Sequence, residues 1–337
     1  MTGVARVYVI AEAGVNHNGS IETALALVEQ AAAAGADAVK FQTFSAKRLV
    51  TAQAPKAAYQ LDTTPSAESQ RDMIARLELT PEDHRTLIGE TERRGIEFLS
   101  SPFDLESIDL LASLGLRTFK LPSGALTDLP YLRRVAHVAD RIILSTGMAT
   151  LAEVSHALEA LRAAGADDTP ITLLHCTTEY PTPPEDVNLR AMTTLAEEFG
   201  LPVGYSDHTA GIAVPIAAAA LGATVIEKHF TLDRAMEGPD HRASLEPADL
   251  ARMVSAVREV EQALGSPVKA PTGGEAENAR AVRKSIAAAQ AICAGDIFTE
   301  DNLTTKRPGT GISPMRWDEI LGRPAPRDFR EDELIEL

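Results

Sequence analysis

The chain has 337 residues, a formal net charge of −16 and a sequence pI near 5.0, with 45% hydrophobic and 24% charged residues. So acidic a chain repels polyanions, which excludes nucleic acid and an anionic membrane as expected partners. If the ligand is itself an anion, positive charge has to be concentrated at the site, and with only eight lysines in the sequence each one at a strand end is informative.

Cys176 and Cys293 lie far apart with no metal-type spacing, so reduced thiols in a cytoplasmic protein are expected. No basic-then-apolar leader precedes the first predicted strand. The most apolar stretch, 212–226, contains Pro215 and Gly222 and falls short of the roughly 20 residues needed to span a bilayer.

Val7–Ala11 is a short β-branched run that reads as a strand, followed by the polar glycine loop EAGVNHNG at 12–19. Ser20 is placed to cap a helix whose apolar residues keep helical spacing to Ala34, and Gly35 ends it. A second strand, AVKFQ, covers 38–42. From residue 96 the unit repeats. Strands are predicted at 96–101, 117–121, 141–145, 171–174, 202–205 and 224–229, with helices at 105–114, 128–139, 151–164 and 187–199, from 211, and at 247–264.

Strands alternating with helices imply parallel pairing through crossover connections. Eight such units over residues 1–265 predict an α/β fold closed into a (β/α)8 TIM barrel. An open doubly wound sheet is the alternative, but no GxGxxG follows the first strand. The one long interruption, the polar and Ala/Gln-rich 45–79, is expected to be a loop over the barrel mouth. Charged runs at 90–94 and 327–336 read as solvated faces. Pro and Gly break the pattern at 265–277 (GSPVKAPTGGEAE). The expected domains are a barrel at 1–265, a linker at 266–282 and a C-terminal piece of short strands and turns at 283–337, too small for a robust core of its own.

In such a barrel the chemistry sits at the carboxyl ends of the strands. Side chains alternate along a strand, so Glu227 and His229 share a face while Lys228 points the other way. Ser206 and His208 share a parity at the preceding strand end. A lone strand-end histidine is more often structural. Two of them ending successive strands, each with a polar neighbour on its face, read equally as a structural pair or as a divalent-metal pair.

The remaining strand ends supply Glu12, Lys40 with Gln42, Ser101, Lys120 then Ser123, Ser145 with Thr146, His175 with Thr177, and Tyr180. A lysine on a buried strand face requires a partner. Lys40, Lys120 and a ring of hydroxyls therefore suit a phosphorylated, carboxylated anion. Any one hydroxyl alone reads as a turn or cap residue, and it is their recurrence that matters.

In order along the chain, IAEAGVNHNG, VKFQTF, FKLPSG, IILSTGM, LLHCTTEYPTP, GYSDHT, VIEKHFTLD and GPDHRAS resemble the motif set of the sialic acid synthases. RKSI and KRPGTGI resemble their C-terminal antifreeze-like (SAF) domain. The resemblance implies a transferase that condenses phosphoenolpyruvate with an N-acylated hexosamine, releasing phosphate and giving a nine-carbon 2-keto acid. N-acetylmannosamine, giving N-acetylneuraminate, is the first expected sugar. The alternative is 2,4-diacetamido-2,4,6-trideoxymannose, giving a legionaminic acid. A metal-dependent aldolase or hydrolase on the same barrel is the rival of another class, and its metal would call for a third protein ligand.

By the same resemblance His208 and His229 hold a divalent metal, Mn²⁺ in first place with Mg²⁺ or Co²⁺ as alternatives, and Glu12 and Glu227 handle protons. Lys40, Ser101, Lys120, Ser123, Ser145 and Ser206 match the phosphoenolpyruvate positions, while Gln42, Tyr180 and Asp240 match sugar-side positions. Arg307 matches an arginine that reaches the partner's barrel in a domain-swapped homodimer. Two positions depart from the family pattern. Ala125 stands where a glutamate usually follows SG, and Thr178 stands where some members have Asn or Ser.

Overall fold

The computed structural model describes residues 6–56 and 68–337. The chain divides into two units, Met1–Gly265 and Ser266–Leu337. Among the described residues of the first unit, the strands are β1 Tyr8–Gly14, β2 Ala38–Thr43, β3 Glu97–Pro102, β4 Thr118–Leu121, β5 Arg141–Ser145, β6 Ile171–His175, β7 Val203–Asp207 and β8 Val225–His229. They pair in parallel in the order β3-β2-β1-β8-β7-β6-β5-β4. The two ends of that order, β3 and β4, lie side by side and close the ring into a TIM barrel.

Strand alternation decides what fills the barrel. Ile10, Ala38, Leu99, Ile143, Leu174 and Val225 form one buried cluster of their own. Two residues further along their strands, on the same face, stand Glu12, Lys40, Ser101, Ser145 and Glu227. The opposite faces, including Val9, Val39, Phe41, Phe98, Ile142 and Leu144, pack instead with residues of the surrounding helices. β1, β2, β3, β5 and β8 thus each carry an apolar floor below and a polar residue above it. The register aligns that layer, setting Glu12 beside both Lys40 and His229, Gln42 beside Ser101, and Ser206 beside Glu227.

Three sequence expectations need correction. The interruption at 45–79 is not a plain loop, because short helices form at Ala46–Leu49 and Gln70–Ala75. Their Ala46, Met73 and Ile74 bury against Val15 and Phe44, so the segment is fastened by its own apolar cluster; residues 57–67 of it lie outside the described residues. The run 90–94 is not simply a solvated face. It ends the helix Pro81–Arg94, which starts with a Thr80–Asp83 capping box and stops at Gly95 in the left-handed conformation (φ 69°). Within that helix Glu90 is buried and paired with Arg93 and Arg94.

The third correction concerns the C-terminal unit. Residues 266–282 are not all linker, since Gly273–Val282 is a helix with a Thr272–Glu275 capping box. The antiparallel strands β9 Ser285–Ala288 and β10 Leu303–Lys306 follow. The unit has its own apolar cluster of Ile286, Ile292, Phe298, Leu303, Ile320, Phe329 and Ile335. Phe329 and Ile335 fall in the charged run 327–336, so that run faces both ways. Among the described residues no helix is long and apolar enough to cross a membrane. Cys176 and Cys293 are free thiols, one buried and one exposed.

Candidate active site

The polar layer of the barrel is a buried charge cluster. Lys40 Nζ stands 2.8 Å from Glu12 and 3.8 Å from Glu227, and donates to Ser101 Oγ at 3.0 Å. Lys120 Nζ approaches Glu227 from the other side at 3.3 Å. Ser206 donates to Glu227 Oε1 at 2.8 Å, and Gln42 Nε2 donates to Glu12 Oε1 at 3.3 Å. All seven side chains come from strands or strand ends, so the backbone ladder fixes their spacing.

The two carboxylates are driven apart. Burial raises the Glu12 carboxyl to about 7, against the pull of Lys40 and with the help of the negative Glu227. Burial also pushes Glu227 up, but Lys120, then Lys40 and the Ser206 hydroxyl, outweigh it and hold Glu227 below the usual carboxylate range. Burial works against the Lys40 ammonium, yet Glu12 and Glu227 more than restore it. One carboxylate is therefore locked as an anion, while the other can hold or release a proton near neutrality.

Above this layer sit two imidazoles. The rings of His208 and His229 are 5.4 Å apart, and Tyr180 packs on both, at 4.1 Å and 5.7 Å. Burial lowers both histidines from their ordinary range, so both are neutral. His208 Nδ1 donates to the Thr177 carbonyl at 2.6 Å, which leaves its Nε2 bare. His229 Nδ1 is buried without a hydrogen-bond partner, its nearest carboxylate being Asp240 at 3.9 Å. Two neutral imidazoles with uncommitted nitrogens are chemically suited to coordinate a divalent cation as a pair. Among the described residues no group of three His, Cys, Asp or Glu gathers in metal-binding geometry.

Ser123 and Thr178 meet at Gly147. The Gly147 N–H donates to Ser123 Oγ at 3.0 Å. A Cβ on Gly147 would stand 2.5 Å from Thr178 Oγ1, 2.8 Å from Ser123 Oγ and 3.0 Å from Cys176 Sγ, so only glycine fits there. Ser145 is buried at the end of β5. A chamber of about 320 Å³ opens over Gln42, Tyr180, His229 and Asp240, and its remaining wall is mostly apolar, with Val15, Phe44, Leu49, Met73, Ile74 and Phe103 beside the polar Gln70. Arg307 belongs to the C-terminal unit, where it is exposed directly after β10, and is not among the residues that the barrel itself gathers.

Sequence reasoning missed Gly147, the Thr177 carbonyl as an orienter, and that apolar wall. Gly147 carries a weak signal, as the glycine of STGM directly after a strand. The wall comes from segments with no clear period. Lys228, read as pointing away from the site, is fully buried there against Asp207 and the Thr209 carbonyl. The equal parity of Asp207 and Lys228 on neighbouring strands was the signal that could have found this pair.

Residues 27–269 match the NeuB family, and residues 283–336 match the SAF domain. The N,N'-diacetyllegionaminic acid synthase of Campylobacter jejuni is 54% identical over 98% of this chain and 99% of that protein. The protein of the same name from Legionella pneumophila is 46% identical over 94% of this chain and 89% of its own length. Among solved structures, N-acetylneuraminic acid (sialic acid) synthetase from Leptospira borgpetersenii aligns with a TM-score of 0.71 at 31% identity, covering 82% of this chain and 91% of that one.

Proposed function

The chain belongs to the NeuB family of phosphoenolpyruvate-dependent condensing synthases, and we propose that its sugar is a 2,4-diacetamido-2,4,6-trideoxyhexose, with a diacylated legionaminic-type acid as product. The observation that carries this reading is the mostly apolar wall of the chamber over His229 and Tyr180. Over most of that wall, where Gln70 is a polar side chain among carbon ones, the 6-hydroxyl of N-acetylmannosamine would lose water without a partner in return, whereas a 6-methyl and acetyl methyls gain from burial. Relatives named as diacetyllegionaminic acid synthases at 54% and 46% identity support the same choice. N-acetylmannosamine, the sugar first expected from the sequence, therefore takes second place.

In this reading Lys40, Lys120 and the hydroxyls of Ser101, Ser123, Ser145 and Ser206 hold the carboxylate and phosphate of phosphoenolpyruvate. Gln42, Tyr180 and Asp240 line the sugar side, and Thr178 stands with Ser123 at Gly147 as a further substrate contact. C3 of phosphoenolpyruvate attacks the aldehyde carbon, whose oxygen takes up a proton. Water adds at C2 and gives up a proton, and phosphate leaves by C–O cleavage to give the 2-keto acid. Glu12 is suited to carry these protons because its carboxyl titrates near neutrality, while Glu227 stays ionised and holds both lysines in place.

A divalent cation, Mn²⁺ in first place, would be held by His208 and His229 and would supply Lewis-acid polarisation of the sugar aldehyde oxygen. Arg307 of a second copy, in a domain-swapped homodimer, would complete the sugar side, its planar fork suiting an acyl oxygen. The test is phosphate release from phosphoenolpyruvate with Mn²⁺ across a panel of free hexosamines. The diacetamido-trideoxy sugar should give the highest kcat/KM, and a higher value for N-acetylmannosamine would reject the assignment.

A further inference from the structure

A second chamber lies beside the sugar-side one. It has a volume of about 540 Å³ and sits between the segments that follow β2, β3 and β4. Arg48, Leu49, Phe103, Asp104, Gly124 and Ala125 are among its lining residues, and Leu49 and Phe103 line both chambers. Ala125 ends the short 3₁₀ turn that begins at Ser123, so it stands two residues from the hydroxyl that receives the Gly147 N–H.

The polar groups around this chamber are largely committed. Asp104 accepts from Ser45 N, from Ser107 N and from Arg48 Nε, the last at 2.9 Å. Asp128 caps the helix Leu129–Ala136 by accepting from Tyr131 N at 3.1 Å, and Tyr131 OH donates to the Pro102 carbonyl at 2.8 Å. Glu106 also lines the chamber and pairs with Arg48 Nε at 3.3 Å, so what remains for a ligand is a carbon surface from Leu49, Phe103 and Ala125 together with the guanidinium of Arg48, which has more N–H donors than Asp104 and Glu106 use. A methyl group against carbon and a carbonyl oxygen towards a guanidinium are the two ends of an acylamino group.

We infer that this chamber receives the 4-acylamino group of the sugar, and that Ala125 is a specificity-determining residue because its small side chain leaves that space open. A carboxylate at 125 would fill part of the chamber and set a negative charge against the acyl oxygen. Such a site would favour a sugar with a hydroxyl at carbon 4, which could donate to the carboxylate. The inference rests on the diacylated sugar proposed above and adds where the second acyl group goes.

The test compares kcat/KM for 2,4-diacetamido-2,4,6-trideoxymannose and for N-acetylmannosamine in the wild-type enzyme and in Ala125→Glu, Ala125→Val and Arg48→Met. The ratio of the two values does not depend on how much of a variant is folded. Ala125→Glu should move the ratio towards N-acetylmannosamine by about 100-fold, the upper end of the cost of leaving a buried polar group unsatisfied. Ala125→Val should move it by about 10-fold through lost volume alone, and Arg48→Met by about 10-fold with KM for phosphoenolpyruvate unchanged. A ratio that stays at its wild-type value in all three variants overturns the inference, whatever happens to the absolute rates. A wild-type enzyme that prefers N-acetylmannosamine rejects the sugar assignment itself, and the role of Ala125 falls with it.

Discussion

Neighbouring residues of β8, Glu227 and Lys228, belong to two buried lysine–carboxylate systems, one facing into the barrel and the other away from it. On the outer face Lys228 and Asp207 are both fully buried. Lys228 donates to Asp207 and to the Thr209 carbonyl, and Asp207 also accepts from the Thr209 N–H and hydroxyl, each at 3.1 Å. Charge and hydrogen bonds close on themselves there. On the inner face Lys40 and Lys120 share Glu227, Lys40 also meets Glu12, and a buried nitrogen of His229 has no hydrogen-bond partner. Leaving buried polar capacity unspent costs stability, and it is tolerated where a ligand will use it. The outer pair holds two strands together, whereas the inner cluster is shaped for something not part of the chain.

The largest expected effect is on the inner face. His208→Ala or His229→Ala should abolish turnover and divalent-metal affinity, measured by calorimetric titration, with the thermal midpoint little changed. Retained metal-dependent turnover in either variant would assign the metal elsewhere.

On the outer face the balance should reverse. Lys228→Met leaves the Asp207 charge buried and unpaired, which should cost about 3–5 kcal/mol of stability in denaturant titration. The fraction that stays folded should keep its KM for phosphoenolpyruvate. Near-native stability in this variant would mean that the outer pair is not structural.

Lys40→Met sharpens the contrast. It should lose less stability than Lys228→Met, because Glu12 can take up a proton and Glu227 keeps Lys120. Its KM for phosphoenolpyruvate should rise by about 10–100-fold, the scale of one charge-assisted contact. A larger loss of stability than in Lys228→Met would erase the distinction between the two faces.

The inner layer was legible in the sequence because a strand has a strict period of two. Glu12, Lys40, Ser101, Ser145, Glu227 and His229 follow from parity once the strands are placed. The chamber over His229 and Tyr180 was not legible, since Met73 and Ile74 reach it from a segment without clear periodicity and Phe103 from just beyond a strand end. The helix Pro81–Arg94 had local signals in Thr80, Asp83 and Gly95, but its charged end masked the buried Glu90. Charge also hid Phe329 and Ile335, which help to build the C-terminal core. Arg307 was named only through its motif, because it sits in a separate unit from the barrel residues.

The smallest expected effect is a slope. The folded Glu12 carboxyl is raised to about 7 from an ordinary value of 4.5. Between those two values the folded chain holds a proton that the unfolded chain has released, so the stability of the metal-free, ligand-free protein should fall as pH rises through this window. Glu12→Gln should flatten that part of the profile, measured as thermal midpoint against pH. An identical slope in the variant would locate the titration in another group.

The most direct test of the central claim is a competition. Wild-type enzyme is given phosphoenolpyruvate, Mn²⁺ and equal concentrations of 2,4-diacetamido-2,4,6-trideoxymannose and N-acetylmannosamine, and the nine-carbon acids are identified by mass. A product pool dominated by the diacylated trideoxy acid is the predicted result, and a pool dominated by N-acetylneuraminate would contradict it.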